Sequence, residues 1–157
     1  MSGLVGGYLT KIEEATGRIR LPAPLSSRIE TKICLARVCW DGPEDLSSPG
    51  KNNPTITKTH FPFVEVYPEN AIPGPLGEVA QSPLGDRESL WAMRDFSHPF
   101  REIAIDSANR ITLSPDLRAH LGLIPGAEVL VLGMTDRFEL WNPKDYEPAR
   151  ENFLKSE

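Results

Sequence analysis

Apolar and polar residues alternate on both sides of the pentapeptide DSANR, residues 106–110. Ile103 and Ile105 alternate with Glu102 and Ala104 before it, and Ile111 and Leu113 resume the alternation after it. Alternation with a period of two is typical of half-buried strands, because successive side chains point to opposite faces. The pattern predicts two strands that flank a polar turn.

A short helix is predicted directly after the second of these strands. Ser114 is a good N-cap, Pro115 suits the first helical position, and Gly122 can end the helix in a left-handed conformation. The residues that follow have the pattern of a β-hairpin.

In this hairpin, Val129 and Val131 are expected to lie opposite Phe138 and Leu140, across a turn at GMTD. The second half of the chain is therefore predicted to run strand, turn, strand, helix, hairpin.

The chain contains this pattern twice. ATGRIRLPAPLSSRI at residues 15–29 aligns with SANRITLSPDLRAHL at residues 107–121, at a constant offset of 92. VEVYP at residues 64–68 aligns with FELWNP at an offset of 74, so 18 extra residues separate the two blocks of the first half. The Gly, Pro, Asn and Ser residues of DGPEDLSSPGKNNPT account for this insertion and predict an exposed, mobile loop.

The duplication predicts how the chain is organised. Residues 1–76 form a first repeat with an inserted loop at about 41–58, residues 77–100 form a linker, and residues 101–157 form a second repeat.

Two further helices are expected. In the linker, apolar residues at helical spacing lie between Asp86, a candidate cap, and Pro99, a stop signal. In the first repeat, Pro22 and Pro24 surround the expected helix start, so that helix is expected to be only one turn long.

The charge balance excludes a general attraction to polyanions. The 157 residues include 17 Lys and Arg and 22 Asp and Glu, and both halves share the formal net charge of -5. A basic surface for nucleic acid would therefore have to be local. No apolar run approaches the roughly 18 residues that span a bilayer, and no secretory signal is visible, so a cytoplasmic protein without membrane contact is expected.

The residue types that usually bind metals show no suitable spacing. Cys34 and Cys39, five apart on a strand-like run, would face opposite sides and are expected to be two reduced thiols. His60, His98 and His120 are scattered, so no zinc site, no other metal and no cofactor is predicted.

Glu65 and Glu139 occupy equivalent places in the two repeats and could pass for a catalytic pair. No histidine, nucleophile or metal set accompanies them, so a polar role in the fold is favoured and no enzymatic activity is expected. Four aromatic residues could stack on bases, although their positions are more typical of core or interface residues. These are Tyr67, Trp91, Trp141 and Tyr146.

The chain resembles the MraZ family of bacterial transcriptional regulators. The resemblance is strongest in EIAIDSANRITLSPDLRAHLGL and VLVLGMTDRFELWNPKDY, and it covers nearly the whole chain except the insertion. It implies a mainly β fold with short helices (α+β), a pseudo-duplicated double barrel related to the swapped-hairpin domains of AbrB-type proteins. It also implies a nucleoid-associated, ring-like homo-oligomer that binds DNA promoter repeats of a division and cell-wall gene cluster.

Family members carry a D-x-x-x-R motif once per half, usually as D-x-x-G-R, which is implicated in DNA binding. The second repeat keeps Asp106 and Arg110 and has Asn109 at the usual Gly position. Asn tolerates positive φ better than most residues, so the turn is expected to survive this change.

The first repeat keeps Gly17 and Arg18 and has Glu14 in the acid position. The resemblance therefore implies that Arg18 and Arg110 contact DNA, while the acid and the turn residue of each motif orient the arginine. Arg offers a planar fork of donors that matches phosphate oxygens or the edge of guanine. Arg20, two residues beyond Arg18, either adds to the same patch or is a solvated strand position.

Two alternatives to a sequence-specific DNA-binding regulator stay open. Taken alone, one motif could be a turn with a surface ion pair. The chain could also be an oligomeric protein-binding or scaffold module that has kept the fold but lost DNA binding, because its net charge is -5 and both motifs depart from the family pattern.

Overall fold

Strands dominate the computed structural model, which describes residues 4–42, 60–71, 87–98 and 100–155. The strands are β1 (Leu4–Lys11), β2 (Arg18–Arg20), β3 (Ile33–Asp41), β4 (Phe61–Pro68), β5 (Arg101–Ala104), β6 (Arg110–Thr112), β7 (Glu128–Thr135) and β8 (Phe138–Trp141). The helices are α1 (Ala23–Ser26), α2 (Arg87–Ser97), α3 (Pro115–Leu121) and α4 (Pro143–Lys155), with a 3-10 turn at Glu69–Ala71. The prediction of a mainly β fold with short helices is confirmed.

The strands are arranged with an approximate two-fold symmetry. Six of them form an antiparallel sheet in the order β1-β7-β8-β4-β3-β5, and β2 and β6 form a separate two-stranded ribbon. The register sets Glu65 directly opposite Glu139 in the sheet, and Ile19 directly opposite Ile111 in the ribbon. In each pair the two residues hold equivalent positions in the two repeats. A pseudo-two-fold axis, called the pseudo-dyad below, therefore passes between the two members of each pair.

The two repeats are interleaved in space. The ladders β1–β7, β3–β5, β4–β8 and β2–β6 each join a strand of one repeat to a strand of the other. Among the described strands, β3–β4 and β7–β8 are the ladders formed within one repeat. Strands from both halves of the chain therefore build the six-stranded sheet and the ribbon together.

The main core lies between the sheet and the ribbon. Ile19 and Ile111 of the ribbon are fully buried, and they belong to the same cluster as Val64, Phe138 and Leu140 of the sheet. Burying a side chain of this kind contributes about 1.5–3 kcal/mol. Apolar packing thus holds the ribbon on the sheet.

The helix α4 covers the other face of the sheet. Side chains alternate along β4, so Phe63 projects away from the main core, and its ring stacks on Trp141 with centroids 4.9 Å apart. Ala149 of α4 packs into this second cluster. The ribbon and α4 therefore lie on opposite faces of the sheet.

The predicted helices are confirmed where the structure describes them. Ser114 accepts a hydrogen bond from the amide of Leu117 at 3.3 Å, and Gly122 ends α3 with a φ of 67°. α1 has four residues, as the prolines indicated. The linker helix is α2, and its predicted cap Asp86 and stop Pro99 lie outside the described residues.

The hairpin β7–β8 is confirmed, with a shift in its turn. The amide of Met134 donates to the carbonyl of Arg137 at 2.7 Å, so the turn lies one residue later than predicted. Val131 lies opposite Leu140, two residues further along β8 than a turn at GMTD would set it. The pairing of Val129 was wrong, because this residue lies beyond the end of β8.

The strands that flank the DSANR turn are confirmed as β5 and β6. Apart from a single bridge between Ile105 and Ile111, their ladder partners lie in the other repeat. The insertion predicted at about 41–58 falls between β3 and β4, and residues 43–59 lie outside the described part of the chain.

The helix α4 was not predicted. Asn142 caps it, since its Oδ1 accepts a hydrogen bond from the amide of Lys144 at 3.0 Å, and Pro143 occupies the first helical position. This Asn-Pro signal for a helix start was present in the sequence. Neither α4 nor any other described helix is long and apolar enough to cross a membrane.

Candidate nucleic-acid interface

The outer face of the β2–β6 ribbon is polar and rich in arginine. The central isoleucine of each strand is buried, so the residues on either side of it project from the opposite face. The register places Arg18 opposite Thr112 and Arg20 opposite Arg110. These four residues are called the ribbon face below. Arg20 thus lies on the same face as Arg18, as its spacing indicated.

The turn that precedes each strand of the ribbon is held by the opposite repeat. Gly17 and Asn109 have positive φ values of 72° and 60°. The carbonyl of Gly17 accepts a hydrogen bond from the amide of Leu113, and the carbonyl of Asn109 accepts one from the amide of Leu21, both at 2.9 Å. These bonds are equivalent under the pseudo-dyad, and they fix both turns against the ribbon.

In the second repeat, one carboxylate both closes the turn and holds the arginine. Oδ1 of Asp106 accepts hydrogen bonds from the amides of Ala108 and Arg110, both at 2.9 Å. Its Oδ2 accepts one from Nε of Arg110 at 3.0 Å. The bond from the Arg110 amide is the largest of the causes that lower the pKa of Asp106, so this carboxylate stays ionised.

The first repeat has a different acid in the matching position. The amide of Glu13 donates to the carbonyl of Arg18 at 2.8 Å, as the amide of Asp106 donates to the carbonyl of Arg110 at 3.0 Å. The acid position of the first motif is therefore occupied by Glu13. The first turn is one residue longer than the second, so the gapless sequence alignment assigned this position to Glu14 instead. Glu14 is exposed.

Glu13 reaches across the pseudo-dyad to the other motif. Its Oε1 accepts a hydrogen bond from Oγ1 of Thr16 at 2.8 Å, and its Oε2 lies 3.4 Å from Nη1 of Arg110. The bond from Thr16 is the main reason that the pKa of Glu13 is lowered. Arg110 is thus bound by one carboxylate from each repeat. The guanidinium of Arg18 has no hydrogen bond or ion pair within the described residues.

Two further arginines lie at the ribbon. Nη1 of Arg20 donates to the carbonyl of Ala108 at 3.1 Å, which ties this side chain to the turn of the second repeat. Nε of Arg118 donates to the carbonyl of Leu113 at 3.0 Å, and its guanidinium packs against Gly17. Sequence reasoning missed Arg118, because this residue of α3 meets the first turn only in the folded chain.

The ribbon and its turns therefore form a local basic patch on an acidic protein. Four arginines meet three acids there, whereas the whole chain has a net charge of -5. The arginines are Arg18, Arg20, Arg110 and Arg118, and the acids are Glu13, Glu14 and Asp106. Planar guanidinium groups held by carboxylates and carbonyls are suited to binding phosphate oxygens or base edges.

The matched glutamates lie in the sheet, on the pseudo-dyad. Glu65 accepts hydrogen bonds from Arg37 at 2.9 Å and from Arg137 at 3.1 Å, while Glu139 accepts one from Nε1 of Trp141 at 2.9 Å. Both carboxylates are buried, and burial raises the pKa of Glu139. These contacts agree with the predicted polar role in the fold.

Three of the four aromatic residues are buried or pack against a buried cluster, as expected. Tyr67 and Trp141 are each 5% exposed, and Tyr146 packs edge-on against Trp141 with ring centroids 5.3 Å apart. Trp91 of α2 differs, because it is 49% exposed and its ring lies 4.8 Å from the guanidinium carbon of Arg94. Trp91 is therefore not a core residue.

The two cysteines are free thiols. Burial raises the pKa of Cys34 to about 12 and that of Cys39 to about 11, so neither forms an appreciable amount of thiolate at neutral pH. Within the described ranges, no group of three or more His, Cys, Asp or Glu residues is placed to hold a metal ion.

Comparison with known proteins links this chain to one family. A family model described as "MraZ protein, putative antitoxin-like" matches residues 98–157. The "Transcriptional regulator MraZ" of Methylibium petroleiphilum is 36% identical over 93 residues, which cover 59% of this chain and 60% of that protein. The protein of the same name from Burkholderia cenocepacia is 31% identical, with 66% of this chain and 69% of the relative aligned. The one from Thermus thermophilus is 27% identical, with 95% and 88% aligned.

Proposed function

This chain belongs to the MraZ family, and from that membership we propose that it is a transcriptional regulator that binds DNA through the ribbon face. The relatives compared above are named transcriptional regulators, and the family is one of regulators rather than enzymes.

The observation that supports DNA binding most strongly is the arginine-rich ribbon face. Arg18, Arg20 and Arg110 project from one side of a rigid two-stranded ribbon, whose turns are locked by hydrogen bonds between the repeats. The net charge of -5 opposes a general attraction to DNA. Binding must therefore come from this local, preorganised set of donors.

The dimensions of the ribbon suit the major groove of DNA, which admits a two-stranded β-ribbon. Arg18 and Arg110 are diagonal neighbours in the register. Diagonal neighbours in an antiparallel pair are about 7–8 Å apart, which is close to two nucleotide steps of about 3.4 Å each. The two motif arginines can thus contact base pairs or phosphates that lie two steps apart within one site.

The proposed targets are promoter repeats, among them those of a division and cell-wall gene cluster, bound by a ring-like homo-oligomer at the nucleoid. One protomer offers few cationic contacts, and each gives little affinity by itself. An oligomer that presents the ribbon face at regular intervals converts several weak contacts into avidity on repeated DNA sites. This reconciles an acidic chain with a polyanionic partner.

The test is the affinity for a duplex taken from the region upstream of the protein's own gene, measured by fluorescence anisotropy. The double variant Arg18→Ala, Arg110→Ala should bind roughly ten- to hundredfold more weakly. Arg150→Ala is the matched control, since Arg150 is exposed on α4, on the opposite face of the sheet. This control should bind like the wild type.

A scaffold or protein-binding module is the second candidate. It is favoured by the two carboxylates that partly neutralise Arg110. In that case the wild type would bind no genomic fragment even at low salt, and a stable protein partner would co-purify with it. Wild-type binding that the double variant leaves unchanged would instead remove the ribbon face from the DNA-binding role.

A further inference from the structure

The ribbon face is not symmetric about the pseudo-dyad. The motif arginines Arg18 and Arg110 are equivalent, but the place that Arg20 takes in β2 is taken by Thr112 in β6. A symmetric ribbon would present the same donors in both directions along a duplex. This ribbon presents two arginines from β2 and one from β6.

The carboxylates increase this asymmetry. Asp106 and Glu13 both contact Arg110, at 3.0 Å and 3.4 Å, and the guanidinium of Arg18 has no such contact among the described residues. A guanidinium that is bound by two acids must share its donors between them and DNA. The positive charge available to a ligand is therefore concentrated on β2.

Arg20 is held in place before any ligand arrives. Nη1 donates to the carbonyl of Ala108 at 3.1 Å, and the side chain is exposed. This bond occupies one of the five N–H donors of the guanidinium, so a fork of donors is still available to a ligand. Thr112 offers a single hydroxyl and a methyl group at the mirror position, and it cannot replace that fork.

We propose that Arg20 is a specificity-determining residue that gives DNA recognition a direction. Its partner is a guanine in a non-palindromic duplex, bound through O6 and N7 in the bidentate manner that suits arginine. Thr112 makes no equivalent contact in the other half of the site, so one orientation of the ribbon on the duplex is preferred. This inference rests on the proposed DNA-binding function.

Selection of bound duplexes from a random pool, followed by sequencing, tests this directly. The wild type should enrich an asymmetric sequence. Arg20→Thr should lose the preference for one guanine, by roughly ten- to hundredfold, and keep the remaining preferences. Thr112→Arg should gain a guanine preference at the mirror position, which makes the selected sequence more symmetric.

Arg20→Lys separates the charge of Arg20 from its shape. Lys keeps the attraction to phosphate but lacks the fork. This variant should bind the pool with nearly wild-type affinity and still lose the guanine preference. Thermal melting of each variant verifies that it folds, and Arg20→Lys alone decides the question if Arg20→Thr does not fold.

Two results would overturn the inference while leaving DNA binding intact. They are a palindromic wild-type sequence, and an Arg20→Lys variant that selects the same sequence as the wild type. Failure of the proposed function itself has a different signature. In that case the wild type enriches no sequence, and the Arg18→Ala, Arg110→Ala variant binds the same fraction of the random pool as the wild type.

Discussion

At the residue scale, the two oxygens of Asp106 have separate tasks. Oδ1 accepts the two amide hydrogen bonds that close the turn, and Oδ2 accepts the bond that orients Arg110. Closing the turn requires only Oδ1. The second oxygen is not needed for the turn, and it fixes where the guanidinium of Arg110 points.

Asp106→Asn separates these tasks. The amide oxygen of Asn can still close the turn, whereas its NH2 group cannot accept a hydrogen bond from Arg110. We expect an unchanged melting temperature and binding to operator DNA that is roughly ten- to hundredfold weaker. Anisotropy titrations and thermal melts measure both. Wild-type affinity in the variant would reduce Asp106 to a turn residue.

Glu13→Gln should have the opposite effect on binding. Glu13 competes with DNA for Arg110, and Gln keeps an oxygen for Thr16 while removing the charge. We expect binding that is tighter by about two- to fivefold, on the scale of one surface charge interaction. Glu14→Gln is the matched control, since it changes the charge equally at an exposed neighbour. Weaker binding by the Glu13 variant would show that Glu13 positions Arg110 for DNA.

Glu139 gives a prediction about pH. Burial raises the pKa of Glu139, so the folded protein favours the protonated form. The stability this provides at low pH is lost as the pH rises through the raised pKa. Glu139→Gln can still accept the bond from Trp141 and, because its amide carries no charge to bury, should stabilise the fold at pH 8. The difference should vanish near pH 4 in denaturant titrations, and destabilisation at both pH values would contradict it.

At the element scale, local signals predicted the elements that depend on local contacts. The cap and stop residues of α3 lie within one short segment, and so do the alternating residues of the β7–β8 hairpin. The pairing of β2 with β6 joins residues about ninety positions apart, and strand pairing of that range leaves no local signal. The duplication showed that two equivalent strands exist, but not that they pair with each other.

The candidate site was predictable to the same extent. Arg18, Arg110 and Asp106 follow from the repeated motif, and Arg20 follows from its spacing to Arg18. Glu13 could not be identified, because a gapless alignment hides a turn that is one residue longer, and the folded chain alone shows which amide matches that of Asp106.

Gly17→Ala tests the first turn as an element. Gly17 has a φ of 72°, and an added Cβ would lie 3.0 Å from Cζ of Arg118 and 3.2 Å from the carbonyl oxygen of Leu113. A left-handed conformation costs about 1–2 kcal/mol for an ordinary residue, so the free energy of unfolding should fall by at least this amount. Asn109→Gly, at the equivalent position, should stay within about 1 kcal/mol of the wild type. Equal effects in both variants would contradict the proposed equivalence of the turns.

At the scale of the whole molecule, the interleaved repeats place both motifs side by side. Because β2 and β6 come from different repeats and pair across the pseudo-dyad, two turns that are distant in sequence meet on one surface. The ribbon is anchored by buried isoleucines, so its outer face is free to carry charge without weakening the core. The fold thus converts a duplicated motif into a single patch of arginines on an acidic chain.

The most direct test of this patch as a DNA-binding surface is the salt dependence of binding to the upstream duplex. Each phosphate that a cationic side chain neutralises contributes about 0.9 to the slope of log affinity against log salt concentration. The wild type should show a steep negative slope, and the slope of Arg18→Ala, Arg110→Ala should be shallower by about one for each phosphate that is no longer neutralised. Arg150→Ala should keep the wild-type slope. Identical slopes and affinities in the wild type and the double variant would show that DNA binds elsewhere or not at all.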